Sequence, residues 1–171
     1  MSKSEKIIIT FLVFAVAAII GLLIFVIKES DQAVFDIQAT APQTMTVRAY
    51  FNNSKSDPEY SCNKVFPVDR EALLNPDTAR AALLELLKGE TPDEKADGFF
   101  TSLNPGVKIQ SLSIIDGIAR ADFSEQLGFQ VAGSCRVSAI RAQITETLRQ
   151  FSTVKEVIIS INGRTEDILQ P

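Results

Sequence analysis

Hydrophobic residues are laid out along this chain in three rhythms. From Ile7 to Ile27 there is no polar interruption stronger than Thr10: IIITFLVFAVAAIIGLLIFVI holds 21 residues without a charge. As a helix this run would extend about 32 Å, enough for a hydrocarbon core. Lys3 and Lys6 precede it, Lys28 closes it, and Glu29, Asp31 and Asp36 follow. That charge order predicts a cytoplasmic tail at 1–6, an uncleaved transmembrane signal anchor at 7–27 and a linker at 28–44. Residues 45–171 then form an extracytoplasmic domain. Ala15-Val16-Ala17 has the look of a cleavage motif but lies inside the run, and Ala39-Thr40-Ala41 is followed by Pro42. No cysteine stands at the end of the run, so a lipid anchor is not expected.

The second rhythm is alternation. Met45, Val47, Ala49 and Phe51 alternate with polar positions and Tyr50, which predicts a strand with one buried face. Lys64 to Asp69 is a shorter extended piece, held to a sheet edge by Pro67. After the turn Asn104-Pro105-Gly106, Val107 and Ile109 fall on odd positions but Leu112 and Ile114 on even ones. The phase change predicts a bulge near Gln110-Ser111, or a strand covered on both sides. Asp116-Gly117 predicts a hairpin whose return strand buries Ala119, Ala121 and Phe123. Glu156 to Ile161 is the last clear strand, ended by Asn162-Gly163. The tail from Thr165 to Pro171 could form one more.

The third rhythm is helical. Asn75-Pro76-Asp77 reads as a helix start, with Ala79, Ala82, Leu83, Leu86 and Leu87 as the apolar stripe and Gly89 as the stop. Leu84 falls off that stripe, either as a scattered surface leucine or as a partner contact. Thr91-Pro92-Asp93-Glu94 is a capping box, and Gly98 cuts its helix short. A second long helix starts with Ser134 as cap and carries Val137, Ile140, Ile144, Leu148 and Phe151 on one face. The resulting fold class is α/β: a two-layer sandwich of two main helices on a small mixed sheet.

Composition narrows the chemistry. With 17 Lys+Arg against 21 Asp+Glu the net charge is −4, and no basic cluster is interleaved with aromatics, so no nucleic-acid partner is expected. There is no histidine, which removes the usual general base and metal ligand. No nucleophile elbow, phosphate loop or dinucleotide fingerprint is present, and no cofactor or metal is expected. Asp93, Glu94 and Asp97 cluster at a helix start, where they complement the dipole. Asn162-Gly163-Arg164 is a turn first, and a partner-contact loop second.

Cys62 and Cys135 are the only cysteines. Outside the cytoplasm two cysteines in one small domain most often pair, and the loop they close would contribute roughly 4 kcal/mol in the chain-entropy estimate. Two separate buried thiols remain an alternative. A nucleophilic Cys135 or a metal site is disfavoured by the missing histidine.

Three stretches carry a family resemblance. "VFPVDR" (Val65 to Arg70), "ARAALLELLKGETPDEKADGFFTSLNPGVKIQSLSIIDGIARADFS" (Ala79 to Ser124) and "RAQITETLRQFSTVKEVIISINGR" (Arg141 to Arg164) are similar, in this order, to GerMN domains of sporulation and spore germination. The resemblance covers about Val47 to Arg164. It implies an α/β sandwich like the ring-building modules of secretion systems, and an envelope protein with no catalytic residues to carry over. One member supports the channel between mother cell and forespore. Unlike that member, this chain is expected to carry a single such domain and a plain helical anchor.

Three functions follow as expectations. The first is a membrane-anchored, non-enzymatic envelope domain that docks onto other envelope proteins or itself, with Leu84, Asn162 and Arg164 as contacts. The second is a module for cell-wall glycan or a small ligand, for which Tyr50, Tyr60 and Phe129 are the aromatic candidates. The third is an enzyme using Cys62 or Cys135.

Overall fold

The structure, a computed structural model, describes residues 15–27, 43–74 and 77–170. The chain divides into two compact units, Met1–Pro42 and Gln43–Pro171. In the first, residues 15–27 form helix α1, in which every residue is apolar or glycine and every side chain is exposed. No helix among the described residues is long and apolar enough to cross a membrane. Residues 7–14 of the expected span, and Lys28, lie outside the described residues.

The second unit opens with strand β1, Thr44–Asn53. Its alternation buries Val47, Ala49 and Phe51, as the pattern predicts. The strand then outlasts the alternation, because Asn52 and Asn53 continue it and are also buried. Antiparallel to it runs β2, Phe66–Leu73, from Phe51 opposite Phe66 to Thr44 opposite Leu73. Pro67 stands opposite Tyr50, whose amide turns the other way, to Thr147 Oγ1 at 3.1 Å. That pair exchanges no ladder hydrogen bond, so the proline's missing N–H faces the open side of an edge strand. The short β3, Phe99–Phe100, pairs with Asn52 and Asn53.

Helix α2, Thr78–Leu87, is capped by Asp77, which accepts from the Arg80 amide at 2.9 Å. The expected cap Asn75 and Pro76 lie outside the described residues, and the cap sits two residues later because Asp77 has the spacing to reach that amide. Helix α3, Pro92–Ala96, carries the expected capping box of Thr91 and Glu94. Strands β4 (Ile109–Ile115) and β5 (Ile118–Phe123) form the hairpin, with the register shift between Ile109 and Ser111 that the phase change predicts. Asp116 and Gly117 both take positive φ, as a tight two-residue hairpin turn requires. After a 3-10 turn at Glu125–Leu127 comes α4, Ser134–Arg149, and then β6, Glu156–Ile161, which pairs parallel to β5.

Three expectations change. Ser134 is not the cap of α4 but its first residue; Gly133 precedes it at φ 89°, a left-handed entry that suits glycine. The tail forms no strand: Arg164 makes one bridge to Ile161, and Ile168 and Leu169 bury themselves beyond it. The small mixed sheet is in fact two three-stranded sheets, ordered β2-β1-β3 and β4-β5-β6. The reason lies on α4. Gln150 donates to Arg48 O at 2.7 Å and accepts from Arg48 N at 3.0 Å, and Thr147 takes the Tyr50 amide. Helix side chains thus occupy the edge of β1 where another strand would pair.

One core joins both sheets: Ala49 and Phe51 of β1, Leu83 and Leu86 of α2, Ala121 and Phe123 of β5, Ile140, Ile144 and Leu148 of α4, and Ile161 of β6. Within it Gln143 and Thr147 are fully buried. Gln143 donates to Asn52 Oδ1 at 2.7 Å and accepts from Thr101 Oγ1 at 2.9 Å, so its polar atoms are satisfied.

Thr147→Val keeps the shape and strands the Tyr50 amide in the interior. It should lower unfolding free energy by about 1–3 kcal/mol in urea titration of the detergent-solubilised chain. Thr145→Val, on the half-exposed side of the same helix, should stay within about 0.5 kcal/mol.

Candidate functional site

Two concave surfaces and one turn hold the residues singled out from the sequence. The first surface is a groove of about 640 Å³ between the end of β2, helix α2 and the start of β4. Leu84 lies in it because it stands off the buried stripe of α2, and it is 44% exposed. Leu73, at the end of β2, lines the same groove and is 65% exposed, and its neighbour Leu74 is exposed as well. Ala81, Leu87 and Val107 add apolar wall. Among the charged lining groups, Glu85 is matched by Lys88 and Glu71 accepts from Thr46 Oγ1. Arg80 donates to the Ile109 carbonyl at 3.1 Å. Among the described residues no ion pair engages Arg80, Lys108 or Glu71, so the groove carries two unpaired cations beside one unpaired carboxylate.

The turn residues Asn162 and Arg164 do not join Leu84. Asn162 donates to Glu125 Oε2 at 2.9 Å and accepts from Gln110 Nε2 at 2.6 Å, and Arg164 contacts both Glu125 oxygens at 2.8 Å. They tie the end of β6 to the 3-10 turn and to β4.

The second surface is a cleft of about 330 Å³ around Cys62 and Cys135. The two cysteines are joined by a disulfide, with Cα atoms 5.0 Å apart and a separation of 73 positions in sequence. Neither is a free thiol. Cys135 reaches the bridge from the first turn of α4, and Cys62 from the loop after β1. That loop is organised by polar anchors. Buried Asp57 accepts from the Ser61 amide at 2.7 Å and the Ser61 hydroxyl at 3.1 Å, and Lys64 lies 3.7 Å away. Buried Asn53 accepts from the Lys55 and Ser56 amides.

Of the aromatic candidates only Tyr60 lines this cleft; Tyr50 is half-buried on β1 and Phe129 is exposed elsewhere. Phe100 and Arg136 line it too, and sequence reading did not single them out for it. A Phe-Phe pair at a loop and an arginine one position after a cysteine carry no signal of a shared cleft until the fold closes. Among the described residues no group of acidic or sulfur side chains is placed to hold a metal ion.

Arg70, in the "VFPVDR" stretch, has a structural post. It donates to Gly89 O at 2.8 Å and to Glu94, and lies over the Phe51 ring at 5.5 Å. It thereby pins β2 to the end of α2 and the start of α3.

The family model described as "Germane: Sporulation and spore germination" matches residues 48–167. Solved structures share the fold. The tandem GerMN domains of the sporulation protein GerM from Bacillus subtilis align with a TM-score of 0.55 at 21% identity, over 75% of this chain and 43% of that one. This chain therefore spans less than half of the tandem protein. The first GerMN domain of the same protein aligns with a TM-score of 0.51 at 24% identity, over 71% of this chain and 85% of that one. No curated protein matches the chain.

Replacing Cys62 and Cys135 together by serine should lower unfolding free energy by about 2–5 kcal/mol, because the open chain regains the freedom of a long loop. Thermal unfolding of the full chain with and without reductant checks this: reductant should destabilise the parent and leave the double variant unmoved.

Proposed function

The chain belongs to the Germane family of sporulation and spore germination domains, and from that premise we propose that it is a non-enzymatic interaction module of the cell envelope, held there by its N-terminal helix. The observation that carries this reading is the groove beside α2, with Leu73, Leu74 and Leu84 in water next to the open edge of β2. Single exposed leucines are ordinary, but several around one concavity mark an interaction surface.

The occupant is a protein partner that offers an extended segment of alternating apolar and acidic residues. Its apolar side chains fit the leucine wall, its carboxylates meet Arg80 and Lys108, and its backbone can pair with β2. Membrane anchoring is supported by α1, whose thirteen residues at 15–27 expose only apolar surface. Such a surface is stable in lipid and costly in water.

A photo-crosslinking residue placed at Leu84 in the full-length protein in native membranes should capture a protein neighbour. One placed at Ile115, more exposed than Leu84 but away from the groove, should not. Leu84→Asp should abolish capture while leaving unfolding free energy within about 0.5 kcal/mol. Equal capture at both positions, or none at Leu84, would refute the reading. Extraction of the chain from membranes by alkaline carbonate would refute the anchor.

A further inference from the structure

The cleft at the disulfide lies outside the groove and has a chemistry of its own. Its volume, about 330 Å³, is at the lower end of the range for small-molecule sites, roughly 300–1,000 Å³. Two aromatic rings line it with much of their surface in solvent, Tyr60 at 66% and Phe100 at 36% exposure. Tyr60 takes a left-handed backbone conformation, φ 53°, uncommon for a bulky residue. Among the described residues its side chain makes no hydrogen bond and joins no core cluster, so packing there does not account for its position.

Charge in the cleft is unbalanced. Asp57 is already engaged by Ser61 and Lys64. Arg136 is different. It donates through Nε to Ser102 O at 3.4 Å, through Nη1 to Gln130 O at 3.3 Å and through Nη2 to Asn104 Oδ1 at 2.7 Å. All three acceptors are neutral, and no ion pair engages Arg136 among the described residues. A guanidinium has five N–H groups, so two remain. Those three bonds hold the planar group in place, which lowers the ordering cost of gripping an anion.

We infer that this cleft binds an apolar or aromatic carboxylate. The carboxylate sits on the spare N–H groups of Arg136, and the apolar body lies against Tyr60 and Phe100. A single unmatched cation suits a monoanion, and the rings suit a flat or branched hydrocarbon group. Two sources supply this chemistry: a free N-acylated amino acid, or the C-terminal residue of a peptide.

The test is isothermal titration of the full chain in lipid nanodiscs. The probes are N-acetylphenylalanine, its carboxamide, and the peptide Ala-Ala-Phe with a free C-terminus and an acetylated N-terminus. The acid should bind with a dissociation constant of about a millimolar, as its small size allows, and the carboxamide about tenfold more weakly. Binding of the peptide at least as tight as that of the single amino acid identifies a chain terminus as the source; weaker binding identifies the free acid. Tyr60→Ala removes an exposed ring that supports no core contact and should weaken the acid about fivefold. Arg136→Lys keeps the charge, loses the planar fork, and should weaken it about tenfold. Leu84→Asp, in the separate groove, should leave it unchanged. Equal affinity for acid and carboxamide, no measurable binding of either acid, or unchanged affinity in the Tyr60 variant would each overturn the assignment.

Discussion

The second edge of β1 is the constraint around which this domain is built. A middle strand needs hydrogen-bond partners on both sides, and an open edge invites pairing with another chain. Here β2 takes one side and β3 takes only Asn52 and Asn53 of the other. The rest falls to α4. Thr147 accepts from the Tyr50 amide and Gln150 bonds both the amide and the carbonyl of Arg48, while Gln143 meets the Asn52 side chain and the Phe100 carbonyl of β3. The spacing makes this possible. Two residues of strand advance about 6.6 Å and three or four residues of helix about 4.5–6 Å, close enough for the long Gln150 side chain to make up the difference, so an antiparallel helix can present one polar group for every second strand residue. A helix cannot form a ladder, but it can supply discrete donors and acceptors in step with one. The same arrangement leaves the interior apolar stripe of α4 free to pack both sheets into a single core.

That device also marks where sequence reading stops. Alternation along β1, the phase change at Gln110-Ser111, the Asp116-Gly117 turn and the Thr91 capping box are local signals. Each depends on residues close in sequence, and each is legible there. Gln143 and Thr147 are different, because polar residues inside an apolar stripe look like its solvent margin until the groups they meet, the Asn52 side chain and the Tyr50 amide, are known. The division into two sheets follows from them and was hidden for the same reason. The parallel pairing of β5 with β6 was within reach, since a helix as long as α4 between two strands permits a crossover. Leu84 was legible as a departure from the stripe of α2, whereas the meeting of Phe100, Tyr60 and Arg136 depends on three segments far apart in the chain. Asn162-Gly163 was legible as a turn, but not the carboxylate of Glu125 that occupies its neighbours.

Between β1 and β2 the chain runs through a loop with little apolar anchoring. Its order comes from polar contacts and one covalent tie. Asn53 gathers the amides of Lys55 and Ser56, Asp57 gathers Ser61, and Asn52 reaches the carbonyls of Cys62 and Lys64. Such bonds are each worth only about 1 kcal/mol net, and water competes for those near the surface. The bridge from Cys62 to Cys135 holds what they arrange, so a wall of the cleft rests on one covalent bond that reduction would open. Arg70 does comparable work on the other side of β2 by fastening it to α2 and α3.

The groove and the edge strand beside it are protected unevenly, which bears on how a partner could approach. The first half of β2 carries Pro67, which offers no N–H, and Asp69, paired with Arg48. Both discourage an incoming strand. Toward the end of β2 the character changes, and the exposed leucines at 73 and 74 follow with Leu84 facing the same hollow. An edge that was simply to be kept from pairing would be guarded along its length. One guarded at Pro67 and open at Leu73 restricts a visiting strand to the end where side-chain pockets exist. On the proposed reading, register would be set by fit to the leucines, and partners lacking acidic groups would leave Arg80 and Lys108 unpaired. On that reading, the asymmetry of a single eight-residue strand would be enough to turn a liability for aggregation into a selective contact.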